Sequence, residues 1–224
     1  CAGYMRMYHP IYLKLLREAC DKYNIHLIAD EIAVGFGRTG TMFAYEQSKI
    51  TPDIVCLSKG ITGGYMTLST ILTTNDMYDA FYDEYTKLNA FLHSHSYTAN
   101  PIACSAANAT LDIFEKEKTI LKNKELSNYI TKSLKNIVNH NHVGDVRQHG
   151  MIVAIEMVKD KLNKKPYSWK ERRGIKAYEY GLKNNVLIRP LGNVIYFMPP
   201  YVIKKKEIDK VITTIEGAID IATK

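Results

Sequence analysis

IHLIADEI, at residues 25–32, and DIVCLSKG, at residues 53–60, are the two stretches that decide the fold. Each begins as a short, mainly apolar run, which is typical of a strand buried on both faces of a sheet. Ahead of them, Leu13, Leu16 and Cys20 repeat at helical spacing after Pro10, which predicts a helix. A helix followed by buried strands favours an α/β fold with a largely parallel sheet, to which residues 68–73 add a further strand.

Each stretch carries a charged residue near its end, Asp30 in the first and Lys59 in the second. Ligand clefts in open α/β sheets lie outside the carboxyl ends of the strands. A carboxylate and an amine at that edge suit pyridoxal phosphate, because a lysine forms the Schiff base and a carboxylate keeps the ring nitrogen protonated. Taken singly, the two residues read better as a surface lysine and a helix-capping aspartate, so the surrounding sequence has to decide.

The surrounding sequence carries a pattern that resembles the signature of the class III aminotransferases, at residues 30–31, 35–40, 52–53, 58–60 and 63–64. The resemblance continues through DVRQHGMIVAIE at residues 145–156. It implies an enzyme of the pyridoxal-phosphate-dependent transferase fold type I. Residues 1–118 would then be the C-terminal part of a mostly parallel large domain that binds the cofactor. Residues 119–224 would form a small C-terminal α/β domain, with the boundary inside long helices at residues 101–139.

The resemblance also implies roles for individual residues. Lys59 is the catalytic lysine that binds cofactor and substrate, and Asp30 pairs with the pyridine nitrogen. Arg189 is expected to bind a substrate carboxylate, which its planar guanidinium can grip through two hydrogen bonds. Tyr196 is expected to line the substrate pocket, although an aromatic residue in a strand is more often part of a core.

The loop HSHSYTANP at residues 93–101 resembles a family loop that reaches the cofactor phosphate across a homodimer interface, so the active site would be shared. Ser96 stands where the family has threonine and keeps the hydroxyl, and His95 stands where proline is frequent. His93 is expected to lie near the substrate. His93 and His95 form no metal site in this interpretation, because a third ligand is missing.

Within the family, residues 5–10, 63–69 and 196–201 resemble the branch that serves biotin biosynthesis. That branch moves an amino group from S-adenosylmethionine to 8-amino-7-oxononanoate and gives 7,8-diaminononanoate. Two alternatives stay open: another class III ω-aminotransferase, of the ornithine or 4-aminobutyrate type, and a non-catalytic module that binds pyridoxal phosphate.

Gly35, Gly37 and Gly40 match the GxGxxG fingerprint of dinucleotide-binding proteins, which is a competing interpretation. Its acidic residue should follow the glycines by about 20 positions, whereas here Asp30 and Glu31 precede them. No convincing helical pattern follows the glycines either. The match is therefore interpreted as coincidental.

The composition favours an ordinary globular protein, with 46% hydrophobic and 24% charged residues. The net charge of +7 is dispersed, so no nucleic-acid partner is expected. No membrane is expected either, because the sequence has no uninterrupted apolar run long enough to span one. Cys1, Cys20, Cys56 and Cys104 are widely spaced, which suits a reducing cytoplasm and no metal. A chain that starts at Cys1 is expected to be a piece of a longer protein.

Overall fold

The computed structural model describes residues 2–224, with the backbone alone at Ala2. Its contacts divide the chain into two compact units, called here the N-terminal unit (Tyr8–Thr119) and the C-terminal unit (Ile120–Lys224 with the described residues up to Met7). The sequence prediction had placed everything from residue 1 to 118 together. Residues 2–7 lie with the C-terminal unit because the Arg147 guanidinium donates to the carbonyls of Tyr4 (3.1 Å) and Met5 (3.3 Å).

The N-terminal unit contains a three-stranded sheet of β1 (Ile28–Asp30), β2 (Ile54–Leu57) and β3 (Thr70–Thr73), in that order. β1 and β2 are parallel, with Asp30 opposite Cys56, whereas β3 runs antiparallel to β2. The sheet here is therefore mixed, and an apolar run does not reveal strand direction. Its helices are α2 (Ile11–Lys22), α3 (Asn75–Asp79) and α4 (Pro101–Lys116).

α2 and α4 show why the sequence pattern predicted helices. Cys20 is the buried residue of the predicted apolar stripe on α2. α4 begins with Pro101, and the Asn100 side chain caps it by accepting from the backbone N–H groups of Ile102 (2.9 Å) and Ala103 (3.3 Å). α4 packs against the turn that follows β2. The core between them contains Phe36, Val55, Leu57, Ile61 and Ala107.

The C-terminal unit is a helix-covered antiparallel sheet with strand order β4-β5-β8-β7, and β6 pairs with β5. Its strands are β4 (Val143–His149), β5 (Ile152–Asp160), β6 (Lys165–Pro166), β7 (Arg189–Leu191) and β8 (Val194–Phe197). Its helices are α5 (Thr119–Ser133), α6 (Lys135–Asn139), α7 (Arg173–Lys183) and α8 (Lys205–Thr223), and the segment α1 (Ala2–Met5) is a left-handed turn in which Gly3 and Tyr4 have φ values of +65° and +62°. β4 and β5 form a hairpin through Gly150, whose φ is +58°.

The core of this unit is built from one face of α8 against β5, where Ile208, Ile215 and Ile219 are essentially unexposed. β7 and β8 are joined by a two-residue turn, Gly192-Asn193, and Gly192 has a φ of +61°. This short hairpin fixes which residues face each other across it. Among the described residues, no helix has the length and apolar character needed to cross a membrane.

Candidate active site

Lys59 is separated from the end of β2 by Ser58 alone and begins a single 3-10 turn, Lys59–Thr62. Its side chain is exposed, and its backbone φ is +48°. Residues other than glycine rarely adopt this left-handed conformation, and such strained backbones concentrate at functional sites. The lysine that the sequence singled out therefore has an uncommon, left-handed backbone conformation and a side chain that is accessible to solvent.

The two neighbours of Lys59 hold this conformation. The Ser58 hydroxyl donates to the carbonyl of Leu68 at 2.7 Å. Gly60 lies so close to Phe36 that a Cβ atom at position 60 would be 2.8 Å from the Cβ of Phe36. Since real Cβ contacts of that length essentially do not occur, glycine is required at position 60. The contacts of Ser58 and Gly60 thus fix the position of the Lys59 backbone, from which its side chain extends.

Asp30 is the last residue of β1 and is also exposed. It pairs with Cys56 in the parallel register, and Lys59 comes three residues after Cys56 on the adjacent strand. The Asp30 carboxylate accepts a hydrogen bond of 3.0 Å from the N–H of Ile32. Asp30 and Lys59 therefore lie at the same edge of the sheet, beyond the carboxyl ends of parallel strands, where ligand clefts form.

Glu31 points the other way and is 3% exposed. Its carboxylate accepts from the backbone N–H groups of Ala44 and Tyr45, each at 3.0 Å. Burial raises the pKa of Glu31 above its ordinary value, and the two hydrogen bonds oppose that rise. The sequence prediction gave this residue no role, although side chains alternate across a strand, so a neighbour of an outward Asp30 is expected to face inward.

The glycine-rich segment after β1 is a compact loop. Gly37 and Gly40 have φ values of +82° and +101°, and the N–H of Gly37 donates to the carbonyl of Met42 at 3.2 Å. A short 3-10 helix, Ala44–Ser48, follows the glycines instead of an α-helix. A dinucleotide-binding turn needs a helix N-terminus directly after its glycines, so the structure does not support that interpretation.

The loop at residues 93–101 presents Ser96 and His93 as exposed side chains. His95 shapes the turn around Ser96, since its Nδ1 accepts from the N–H of Tyr97 at 3.1 Å. In return, the Thr98 hydroxyl accepts from the N–H of His95 at 3.1 Å. His95 therefore has a local structural role. Within residues 2–224 there is no cluster of three or more metal-ligating side chains.

Arg189 and Tyr196 are direct cross-strand partners in the β7–β8 hairpin. The Arg189 guanidinium carbon lies 5.9 Å from the centre of the Tyr196 ring, within cation–π range. Arg189 is exposed and Tyr196 is partly exposed, so the tyrosine is not a core residue. The hairpin thus brings together two of the residues that the sequence assigned to the substrate, both in the C-terminal unit.

A cavity of about 300 Å³ lies at the turn of the same hairpin, where Gly192 and Asn193 line it together with Arg147, Glu156 and Trp169. Neither Arg189 nor Tyr196 lines it. Arg6 and Arg147 both line it, and the Arg147 guanidinium is already bonded to the carboxylates of Asp145 and Glu156, each at 2.7 Å. The cavity therefore adds nothing to the substrate site predicted from sequence.

Asp53, which opens β2, has a structural role that the sequence did not reveal. Its carboxylate accepts from the Arg17 guanidinium and from the N–H of Leu27, both at 2.6 Å. The hydrogen bond from Arg17 is the main reason why the pKa of Asp53 lies below its ordinary value of 3.8. One carboxylate thus joins α2 to the starts of β1 and β2, the strands that end at Asp30 and Lys59.

Replacing Asp53 by alanine is expected to destabilise the N-terminal unit by about 1–3 kcal/mol, because two donors lose their acceptor. Faster amide hydrogen exchange at residues 25–30 would measure the loss. Because the folded pKa lies below 3.8, the contribution is complete above that pH and disappears as the pH falls through the folded pKa. The difference between the variant and the wild type is therefore expected to shrink in acid.

Asp21→Ala is the matched control, since Asp21 also bonds Arg17, at 2.7 Å, but its side chain is 64% exposed. Such exposed pairs contribute about 0–1 kcal/mol. An Asp53→Ala effect no larger than that of Asp21→Ala would contradict the structural role.

The comparisons with known proteins show the family and the fold. The family model of the class-III aminotransferases matches residues 1–219, and the chain belongs to that family. A protein of Helicobacter pylori named adenosylmethionine-8-amino-7-oxononanoate aminotransferase is 49% identical over 98% of this chain and 50% of its own length. The chain spans about half the length of the curated relatives it matches.

Solved structures show the same architecture, that of the fold type I transferases. The enzyme of the same name from Methanocaldococcus jannaschii has a TM-score of 0.88 at 42% identity, over 93% of this chain and 49% of its own. An omega transaminase from Pseudomonas jessenii, in complex with PMP, has a TM-score of 0.89 at 29% identity, over 95% and 47% of the two chains. The predicted class and fold are confirmed.

Proposed function

We propose that the protein containing this chain is a pyridoxal-phosphate-dependent aminotransferase of biotin biosynthesis. It would transfer the amino group of S-adenosylmethionine to 8-amino-7-oxononanoate and give 7,8-diaminononanoate. The observation that carries the aminotransferase proposal is the placement of Asp30 and Lys59 at the ends of adjacent parallel strands. The substrates are proposed from the name of the relatives, of which the one from Helicobacter pylori is 49% identical.

The residues at the strand ends fit pyridoxal phosphate by their chemistry. When bound, this cofactor supplies an aldehyde and an electron-accepting ring. Lys59 has an accessible amine that can hold the aldehyde carbon and, once displaced by the amino donor, can move the proton at the donor's α carbon. Asp30 has an exposed carboxylate that can keep a proton at the ring nitrogen.

Four further residues have roles in this proposal. Arg189 would bind the substrate carboxylate through its guanidinium, and the ring of Tyr196 beside it would line the pocket. Ser96 would donate its hydroxyl to the cofactor phosphate across the interface of a homodimer. His93, in the same exposed loop, would lie near the substrate.

The two units would correspond to the two domains expected from the family. The N-terminal unit would be the C-terminal part of the large cofactor-binding domain, and the C-terminal unit would be the small domain. The homodimer is supported by exposed apolar side chains at residues 78–97, where Tyr85 and Leu92 are 91% and 92% exposed. Apolar patches of this kind mark interaction surfaces, and a molar mass measurement in solution tests it.

We also propose a cytoplasmic location, in keeping with a biosynthetic aminotransferase. Of the cysteines that the structure describes, Cys20 is buried, Cys56 and Cys104 are partly buried, and all three are unpaired. Unpaired thiols suit a reducing compartment. Cys1 lies outside the described residues.

The amino donor distinguishes this proposal from the alternatives. With the purified protein and pyridoxal phosphate, S-adenosylmethionine is expected to change the visible absorption of the cofactor, whereas ornithine and 4-aminobutyrate leave it unchanged. A response to ornithine or 4-aminobutyrate alone would identify another ω-aminotransferase, a class to which the Pseudomonas jessenii structure belongs by name. Bound cofactor that responds to no amine would identify a non-catalytic module.

A further inference from the structure

We propose that Glu31 is a positioning residue that holds the carboxylate of Asp30 in place for the cofactor. The inference rests on the proposed function, in which Asp30 faces the ring nitrogen of pyridoxal phosphate. Glu31 itself is buried and points away from the sheet edge where that cofactor would bind. Its effect on the cofactor is therefore exerted through Asp30.

Glu31 makes bonds to three different parts of the N-terminal unit. Its N–H donates to the carbonyl of Cys56 at 3.0 Å, which extends the β1–β2 pairing one residue past Asp30. Its carbonyl accepts from the N–H of Gly35 at 2.8 Å. Its carboxylate accepts from Ala44 and Tyr45. The backbone immediately after Asp30 is thereby tied to β2, to the glycine loop and to the turn beyond it.

Asp30 has few contacts of its own by comparison. Its side chain is exposed and accepts one hydrogen bond, from the N–H of Ile32. Both Asp30 and that donor adjoin Glu31 in the chain, so the direction of the Asp30 carboxylate depends on the backbone that Glu31 fixes. A shift of about 1 Å in a catalytic group can cost about 100-fold in rate.

The burial of a carboxylate at this position is costly, and two backbone N–H groups, those of Ala44 and Tyr45, offset part of that cost. Burial raises the pKa of Glu31, and the nearby carboxylates of Glu46 and Asp30 raise it further, while the two N–H donors lower it. In Glu31→Gln, the amide oxygen can still accept from the N–H groups of Ala44 and Tyr45. In Glu31→Ala, both N–H groups lose this acceptor. The two substitutions therefore form a graded series.

The experiment measures how tightly the purified protein without cofactor binds added pyridoxal phosphate, followed by visible absorption. Glu31→Ala is expected to raise the dissociation constant about 10-fold or more, and Glu31→Gln by a smaller factor. The pH at which the visible band of the bound cofactor changes is expected to move in the same order. Thermal unfolding of each variant is recorded alongside, and Glu31→Gln carries the test if Glu31→Ala does not fold.

Gln47→Ala is the matched control, because Gln47 stabilises the same glycine-rich loop through hydrogen bonds to other residues. Its amide donates to the carbonyl and hydroxyl of Thr39 and to the hydroxyl of Thr41, at 3.0–3.2 Å. Gln47→Ala is expected to lower the unfolding temperature while leaving the dissociation constant and the pH of the band change as in the wild type. Unchanged binding in both Glu31 variants, or equal weakening in Gln47→Ala, would overturn the proposal.

Asp30→Asn separates this inference from the proposed function. If Asp30→Asn weakens cofactor binding and shifts the band but the Glu31 variants do neither, only the role of Glu31 is wrong. If the wild type does not bind pyridoxal phosphate, or Asp30→Asn behaves as the wild type does, the proposed function is wrong and the role of Glu31 falls with it.

Discussion

Replacing Lys59 by alanine is expected to lower the turnover number of the purified protein by about 10⁴-fold, the upper range for loss of a general base. The variant loses the amine that would hold the cofactor and the base that would move the donor's α proton. Its fold is expected to persist, because the side chain is exposed and the neighbours Ser58 and Gly60 make the local contacts. Steady-state kinetics with S-adenosylmethionine measures the effect.

Lys49→Ala provides a close control for that substitution. Lys49 is also exposed, lies in the same unit and has a left-handed φ of +53°, but it follows a 3-10 helix and not a strand end. Its replacement removes the same charge and keeps a Cβ atom at a similarly left-handed position, so activity is expected to remain. Near-normal turnover in Lys59→Ala, or an equal loss in Lys49→Ala, would contradict the role of Lys59.

Replacing Arg189 by alanine is expected to lower kcat/KM for the keto substrate by about 10²–10³-fold. Two hydrogen bonds between a guanidinium and a carboxylate contribute about 3–4 kcal/mol, and each 1.4 kcal/mol corresponds to a factor of ten. The loss should fall on substrates that carry a carboxylate, and an analogue in which that group is an amide should bind the variant and the wild type alike. Kinetics with the two substrates measures the difference.

Two further variants sharpen this test. Arg189→Lys keeps the charge but not the planar fork, so a partial recovery is expected. Tyr196→Phe keeps the ring beside the guanidinium, so it is expected to leave carboxylate recognition largely intact. An Arg189→Ala variant that discriminates the acid from its amide as the wild type does would contradict the assignment.

Much of this fold could be predicted from local patterns. The stripe on α2, the runs that became β1 and β2, and the turn at Gly192 each follow from the periodicity or turn chemistry of a few adjacent residues. Asp30 and Lys59 could be found because they interrupt apolar strands at their ends. Arg189 and Tyr196 could be placed opposite each other once a two-residue turn was assumed, since the turn fixes the register.

Other features depend on contacts between residues far apart in the chain. The antiparallel direction of β3 is set by its pairing with β2, which an apolar run does not encode. Arg147 binds the carbonyls of Tyr4 and Met5 across more than 140 residues. Asp53 could be seen as part of a signature, but its bonds to Arg17 and Leu27 are visible only in three dimensions.

The identity of the lysine that bonds to the cofactor is the central claim, and chemical reduction tests it most directly. Borohydride added to the protein with pyridoxal phosphate makes the bond between the lysine Nζ and the cofactor permanent, and mass spectrometry of the digested protein then locates it. The phosphopyridoxyl group is expected on the peptide that contains Lys59, and no other peptide is expected to carry it in equal amount. Modification of a different lysine, or none at all in a protein that still turns over S-adenosylmethionine, would contradict the account.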